Sequence, residues 1–168
     1  MMFRPTPKFV FAHPAHFIAL GFGSGLAPLA PGTVGTLLAF PVFFALKALL
    51  GPLDSLPAVL EFVAVVGVFF AIGVWACGRT GRALGISDHS GMNWDEIVAM
   101  LLILLVTPED WAWWTFAFFA FRFFDVVKPP PIRQIDRTMK GGFGVMFDDI
   151  VAAFYTVFLM ALVKRLFF

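Results

Sequence analysis

Asp88, Asp95 and Glu96, then Arg122, Asp125 and Lys128, then Arg133 and Asp136, and finally Asp148 and Asp149 place acids and bases at short spacing in an otherwise apolar chain. Carboxylates suit hard cations such as Mg²⁺, which takes oxygen ligands and shares substrate phosphates. Arg and Lys suit the phosphate itself. Together these residue types point to metal-assisted phosphoryl chemistry. For any one acid, a helix cap or an interfacial ion pair is an equally good reading. For the group as a whole that blander reading is weaker.

The local pattern sharpens the roles. Arg122 and Asp125 are three apart and share a helix face. Lys128 follows at the helix end, and Pro129, Pro130 and Pro131 stop the helix. A helix dipole favours Lys128 there but not Asp125. Asp148 and Asp149 are expected to open the last helix, with Asp148 nearer the cap. Asp149 shares the small face of Ala152 and Ala153 and is expected to point into the bundle. Asp95 and Glu96 similarly open a helix, with Asn93 as its cap. Adjacent helical residues point about 100° apart, so one of each acid pair should face the site. Gly32-Thr33-Val34-Gly35-Thr36 precedes an apolar run, and amides at such a helix start bind anions. It lacks the Gly-Lys-Ser/Thr ending of a nucleotide-binding loop, and close helix packing explains its glycines equally well.

Other chemistries fall away. The run from Cys77 to Arg82 has one residue too few for a cysteine phosphatase loop, and Cys77 reads as an inert thiol ending an apolar helix. His13, His16 and His89 show no zinc spacing. No Gly-x-Ser-x-Gly elbow is present.

The elements that must position these residues are membrane helices. The chain has 168 residues, 60% hydrophobic and 14% charged, with 23 Phe. A soluble domain has roughly 45–50% apolar and about 25% charged residues. Five apolar stretches stand out: Thr33–Leu50, Pro57–Cys77, Ile97–Val106, Trp111–Phe124 and Ile150–Leu162. A span needs about 20 residues. The first two meet this alone. The other three reach it only by carrying acids or bases at a membrane boundary, where such residues are costly and usually functional. Gly/Pro-rich segments separate the spans and must line a cavity or pack on protein. The expected fold is all-α: a multi-helical integral membrane protein with about five transmembrane helices and an interfacial N-terminal segment. It forms one domain over residues 1–168, of which 1–15 are an N-terminal tail. No cleavable signal peptide is evident. The net charge of +1 gives no reason to expect nucleic acid. With five spans, Arg4, Lys8, Arg79, Arg82, Arg122, Lys128, Arg133, Arg137 and Lys140, nine of the 12 basic residues, share one face. The positive-inside rule makes that face cytoplasmic. Lys164 and Arg165 at the other face argue mildly against this topology.

Four segments together resemble the phosphatidylglycerophosphatase A family: GFGSGLAPLAPGTVGTLLAFP from Gly21, DHSGMNWDEIVAM from Asp88, FRFFDVVKPPPIRQIDR from Phe121 and GGFGVMFDDIVAA from Gly141. They occur in the family's order and spacing. The resemblance implies a phosphoric monoester hydrolase that converts phosphatidylglycerophosphate to phosphatidylglycerol with Mg²⁺, at the inner (cytoplasmic) membrane of bacteria. It makes Asp88, Asp95, Glu96, Arg122, Asp125, Lys128, Arg133, Asp136, Asp148 and Asp149 the polar working set. In the mechanism this suggests, Mg²⁺ sits between Glu96, Asp125 and Asp149. Thr33, Arg122, Lys128 and Arg133 hold the phosphomonoester. The catalytic acids are Asp88, Asp95 and Asp148, with the general base drawn from Asp95 or Asp88. The partners are the lipid substrate and the bilayer, and the oligomeric state is left open. The rival class is a small membrane cation or metal transporter. The basic residues beside the acids separate the two readings, because a cation path should exclude them.

Overall fold

The computed structural model describes residues 5–167 and is all-helical over them, with no strand among the described residues. Arg4 lies outside that range. The chain opens with two short helices, α1 (Pro7–Phe11) and α2 (Pro14–Ala19), each started by a proline at its first turn and a side-chain cap. Thr6 Oγ1 accepts from Phe9 N at 3.3 Å and His13 Nδ1 from Ala15 N at 3.0 Å. The stretch expected as an N-terminal tail is thus partly structured. The Phe9 and His16 rings stack at 4.1 Å, and Thr80 Oγ1 donates to Ala15 O at 3.3 Å, pinning the segment to a later helix.

A 3-10 turn over Gly21–Leu26 follows, with Gly21, Phe22 and Gly23 at positive φ. The long elements are α3 (Pro31–Leu50), α4 (Leu56–Leu84), α5 (Trp94–Val106), α6 (Trp111–Val127) and α8 (Gly142–Phe167), with the short α7 (Ile132–Thr138) before the last. Three of them, α3, α4 and α8, are long and apolar enough to cross a membrane, at 20, 29 and 26 residues. The expected count of five therefore rests on α5 and α6, which have 13 and 17 residues.

Contacts fix which ends meet. Lys47, near the end of α3, pairs with Glu109 in the α5–α6 connection, and Thr107 Oγ1 lies 3.9 Å from Met160 Sδ on α8. At the opposite end the start of α3 meets the start of α5 and the end of α6, as described below. The five long helices thus alternate in direction between two ends. α5 is the central one and packs against α3, α4, α6 and α8. Ten of its 13 residues are buried, including Trp94, Asp95 and Glu96. Trp94 Nε1 donates to Phe69 O on α4 at 2.9 Å. Large apolar side chains such as Leu60, Val68, Phe119, Phe154 and Phe158 point outward, as lipid-facing helices require.

Two local expectations change. Asp148 and Asp149 do not open a helix: α8 begins six residues earlier, at Gly142. Neither is a cap, and both are buried. Asn93 precedes α5 but makes no capping bond. Its Nδ2 instead donates to Ser24 Oγ and Pro31 O, both at 2.9 Å, tying the 3-10 turn and the start of α3 to α5.

Candidate active site

At the end of the bundle where α3 begins, a cavity of about 240 Å³ is lined by Ala30, Pro31 and Gly32 from α3, by Asp88, Ser90 and Met92 from the α4–α5 connection, and by Asp95 and Glu96 from α5. Arg122, Asp125 and Lys128 from the end of α6 and Asp148 and Asp149 from α8 complete it. Eight of the ten site residues expected from sequence meet here. Thr33 does not line the cavity but follows Gly32, half-buried. Arg133 is exposed and donates from Nη2 to Val127 O at 3.3 Å, because the turn through Pro129–Pro131 carries it away from the acids.

The innermost part is a group of three buried carboxylates. Asp95, Glu96 and Asp149 each offer an oxygen, and these oxygens lie within 4.8 Å of one another. Asp95 Oδ1 accepts from Glu96 N at 3.1 Å. Glu96 Oε2 and Asp149 Oδ2 are buried without a hydrogen-bond partner. Two ionised carboxylates at that separation repel by about 3 kcal/mol at an effective dielectric near 20. A buried group of this kind needs a cation or shared protons to persist. An all-oxygen donor set with two unpartnered oxygens fits a hard divalent cation. Expectation and geometry differ in one detail: Asp95 joins Glu96 and Asp149 in the tight group, whereas Asp125 is engaged by Arg122.

Arg122 organises the next layer. Its Nη1 lies 2.6 Å from Asp125 Oδ2, 3.4 Å from Glu96 Oε1 and 3.5 Å from Thr36 Oγ1, while its buried Nε has no partner. The i,i+3 pairing with Arg122 explains how Asp125 is tolerated near a helix C-terminus. Lys128, in the left-handed region at φ 46, ends α6 and reaches Asp148 Oδ2 at 2.5 Å and Asp136 Oδ1 at 3.0 Å. Burial acts to lower its pKa, but these two carboxylates outweigh burial and raise it above the usual lysine value. Lys128 therefore stays protonated through the physiological range. The segment after it is held by Tyr155, whose hydroxyl donates to Pro130 O at 3.0 Å.

α3 starts at this cavity without a side-chain cap. Its N-cap, Ala30, is at φ 45 in the left-handed region. Ala30, Pro31 and Gly32 line the cavity, so the start of the helix, with its uncapped amides from Gly32 onward and the positive end of its dipole, lies at the cavity wall. Gly32 makes the close approach possible. A Cβ there would lie 3.0 Å from Arg122 Nη2 and closer still to Glu96 Oε1. This contact and the lining by Ser90 were missed from sequence. The signal available was the glycine of the Gly-Thr-Val-Gly-Thr run, which reads equally well as ordinary helix packing.

The cavity holds six acids and two bases, a formal excess of four negative charges. Beyond Asp95 and Glu96, α5 buries Ile97, Val98, Met100, Leu101, Ile103 and Leu104, so among the described residues the acids stop at an apolar layer. A cation path would need polar groups to continue through that layer. Cationic side chains within the acid cluster and an apolar floor beneath it are what an anionic substrate bound from one face requires.

A family model described as Phosphatidylglycerophosphatase A matches residues 17–164. Among curated proteins, the chain is 42% identical over 142 residues to Phosphatidylglycerophosphatase A of Escherichia coli, covering 84% of this chain and 78% of that protein. It is 39% identical over 155 residues to Phosphatidylglycerophosphatase A of Haemophilus influenzae, covering 92% and 91%. It is also 41% identical over 150 residues to a Bacteroides thetaiotaomicron protein provisionally named a phosphatidylinositol-3-phosphatase, covering 88% and 91%. No solved structure matches the chain.

Proposed function

Because the chain belongs to the phosphatidylglycerophosphatase A family, we propose that it is a phosphoric monoester hydrolase that converts phosphatidylglycerophosphate to phosphatidylglycerol and inorganic phosphate. The observation that carries this reading is the cavity itself. It joins three buried carboxylates, two of them with an unpartnered oxygen, an arginine and an uncapped helix start at one end of a membrane bundle.

The buried trio Asp95, Glu96 and Asp149 would hold Mg²⁺, with Asp125 beside it on Arg122. When bound, the ion supplies charge neutralisation at the phosphoryl oxygens and lowers the pKa of a coordinated water. The chain's own groups do the rest. The Arg122 guanidinium and the first amides of α3 bind phosphoryl oxygens in fixed positions. Lys128 is held by Asp148 and Asp136 and adds a permanent positive charge at the cavity wall. Asp88 is exposed at the rim and takes the proton from the attacking water, passing it to solvent. The bond that breaks joins phosphorus to the headgroup alcohol, whose oxygen leaves with a proton.

Phosphate release from the purified protein in detergent tests this. Release from phosphatidylglycerophosphate should be lost on chelation and restored by Mg²⁺. Glycerol phosphate should be a poor substrate, because acyl chains hold the lipid beside the site at about 0.8 kcal/mol per buried CH₂. Equal rates on lipid and soluble phosphates would contradict a lipid-facing site.

The same reading places the protein in the bacterial inner membrane with the cavity facing the cytoplasm. Arg79, Arg82, Arg133, Arg137 and Lys140 belong to the cavity end, and the positive-inside rule puts that end inside. Cysteines placed at Arg137 and at Glu109 test the orientation, since the native Cys77 is buried. In sealed cells a membrane-impermeant reagent should label the Glu109 position and spare the Arg137 position. The reverse pattern would invert the protein.

A further inference from the structure

A second cavity of about 180 Å³ abuts the first across Pro31 and Ser90, which line both. One wall is the turn from Gly25 to Pro28, and the other is His89–Gly91. The two walls meet backbone to backbone. A Cβ on Gly91 would lie 2.9 Å from Gly25 O, and one on Gly25 would overlap Gly91 O. Asn93 fixes the same turn from below through Ser24 and Pro31. On the other wall His89 Nδ1 accepts from Gly91 N at 3.0 Å. The pocket is therefore built into the packing of the two connections.

Its chemistry contrasts with that of its neighbour. The acid cavity carries six carboxylates and two bases, whereas no Asp, Glu, Lys or Arg lines this pocket. It offers the Ser90 hydroxyl, the backbone of the glycine pair, the His89 ring and the apolar edges of Leu26, Ala27 and Pro28. A neutral polyol can exchange its water for such groups without desolvating a charge. A second anionic group would find no cationic side chain there, so the phosphodiester that joins the polyol to diacylglycerol must lie outside the pocket.

On the proposed function above, we infer that this pocket receives the uncharged polyol carrying the scissile phosphate, and so selects the headgroup. With the phosphate beside Arg122 and Gly32, the ester oxygen and its carbon lie toward the Pro31–Ser90 boundary. The three-carbon unit then continues into the neutral pocket. On hydrolysis the phosphorus–oxygen bond breaks, the attacking water supplies the new oxygen on phosphorus and gives up its proton through Asp88 to solvent, and the departing alkoxide takes a proton from solvent water. Phosphatidate, whose phosphate sits directly on diacylglycerol, leaves the pocket empty.

The test fills the pocket from a wall residue outside the acid cavity. Ala27 is half-buried at φ −53 and ψ 131, a backbone conformation open to larger residues. The kcat/KM of wild type, Ala27→Phe and Ala27→Leu should be measured on phosphatidylglycerophosphate and on phosphatidate in the same detergent. Wild type should prefer the polyol lipid, and Ala27→Phe should erase about tenfold or more of that preference through KM, leaving phosphatidate turnover in place. Ala27→Leu should move the ratio the same way by less. A ratio unchanged in both variants overturns the pocket's role. If Ala27→Phe loses both substrates, the ratio in Ala27→Leu decides. Failure of wild type to hydrolyse phosphatidylglycerophosphate overturns the proposed function, which is a separate outcome.

Discussion

Asp149→Asn should lower kcat by about 10²–10³-fold while the protein stays folded and inserted. The substitution keeps shape and hydrogen-bonding capacity and removes only the charge that a hard cation needs. Asp149 lies inside α8, so no cap is lost. Its Oδ2 has no partner, so no observed bond is lost at that atom. Removing one of three crowded, buried carboxylates lessens the need for shared protons when no cation is bound. Thermal unfolding in detergent should therefore shift upward or stay level while phosphate release collapses. Turnover near normal at limiting Mg²⁺ would remove Asp149 from the metal group. Asp148→Asn should behave differently. It weakens the 2.5 Å pair with Lys128, so activity and thermal stability should fall together. The milder effect expected of a capping residue does not apply to a side chain buried at this position.

Gly32→Ala should separate stability from activity by adding one methyl group. Ala is the better helix former by about 1 kcal/mol, and Gly32 is the second residue of α3. The added Cβ would fall on Glu96 Oε1 and within 3.0 and 3.1 Å of the two terminal nitrogens of Arg122. Both neighbours are ends of flexible side chains and can retreat, so the fold should tolerate the change with little shift in melting temperature. Their retreat moves a proposed ligand and the phosphate-binding guanidinium together. A displacement of about 1 Å in such a site costs on the order of 10²-fold in rate. Wild-type kcat/KM in a well-folded Gly32→Ala would show that α3 does not set the position of these groups.

The acids were legible because each sits at the edge of an apolar run, where a charge is costly without a function. Their grouping was only partly legible. Adjacent residues on a helix diverge, which suggests that one of Asp95 and Glu96 faces inward. Both are buried because α5 is enclosed by four neighbours, and enclosure on all sides is a tertiary fact. The start of α8 was placed too late because Gly141, Gly142 and Gly144 read as helix breakers. Gly142 and Gly144 are inside the helix for a packing reason. A Cβ on Gly142 would lie 2.6 Å from Gly78 N, and one on Gly144 would come within 2.5 Å of the Met139 carbonyl carbon. Arg133 was assigned to the phosphate with the polar set that the family resemblance implies, but the proline turn sets a direction that a motif does not contain. Asn93 has the composition of a cap, and its partners Ser24 and Pro31 lie 69 and 62 residues away in sequence.

The charge imbalance of the cavity sets an order of events. Six acids facing two bases present a repulsive field to a lipid whose headgroup is itself multiply anionic. A divalent cation would halve that formal excess of four, and until it does the field opposes entry of the headgroup, however well the pocket fits it. Loading of the proposed cation is then a gate on substrate entry as well as a contribution to the chemical step. A cell poor in free divalent ion would hold this protein silent while its lipid accumulates.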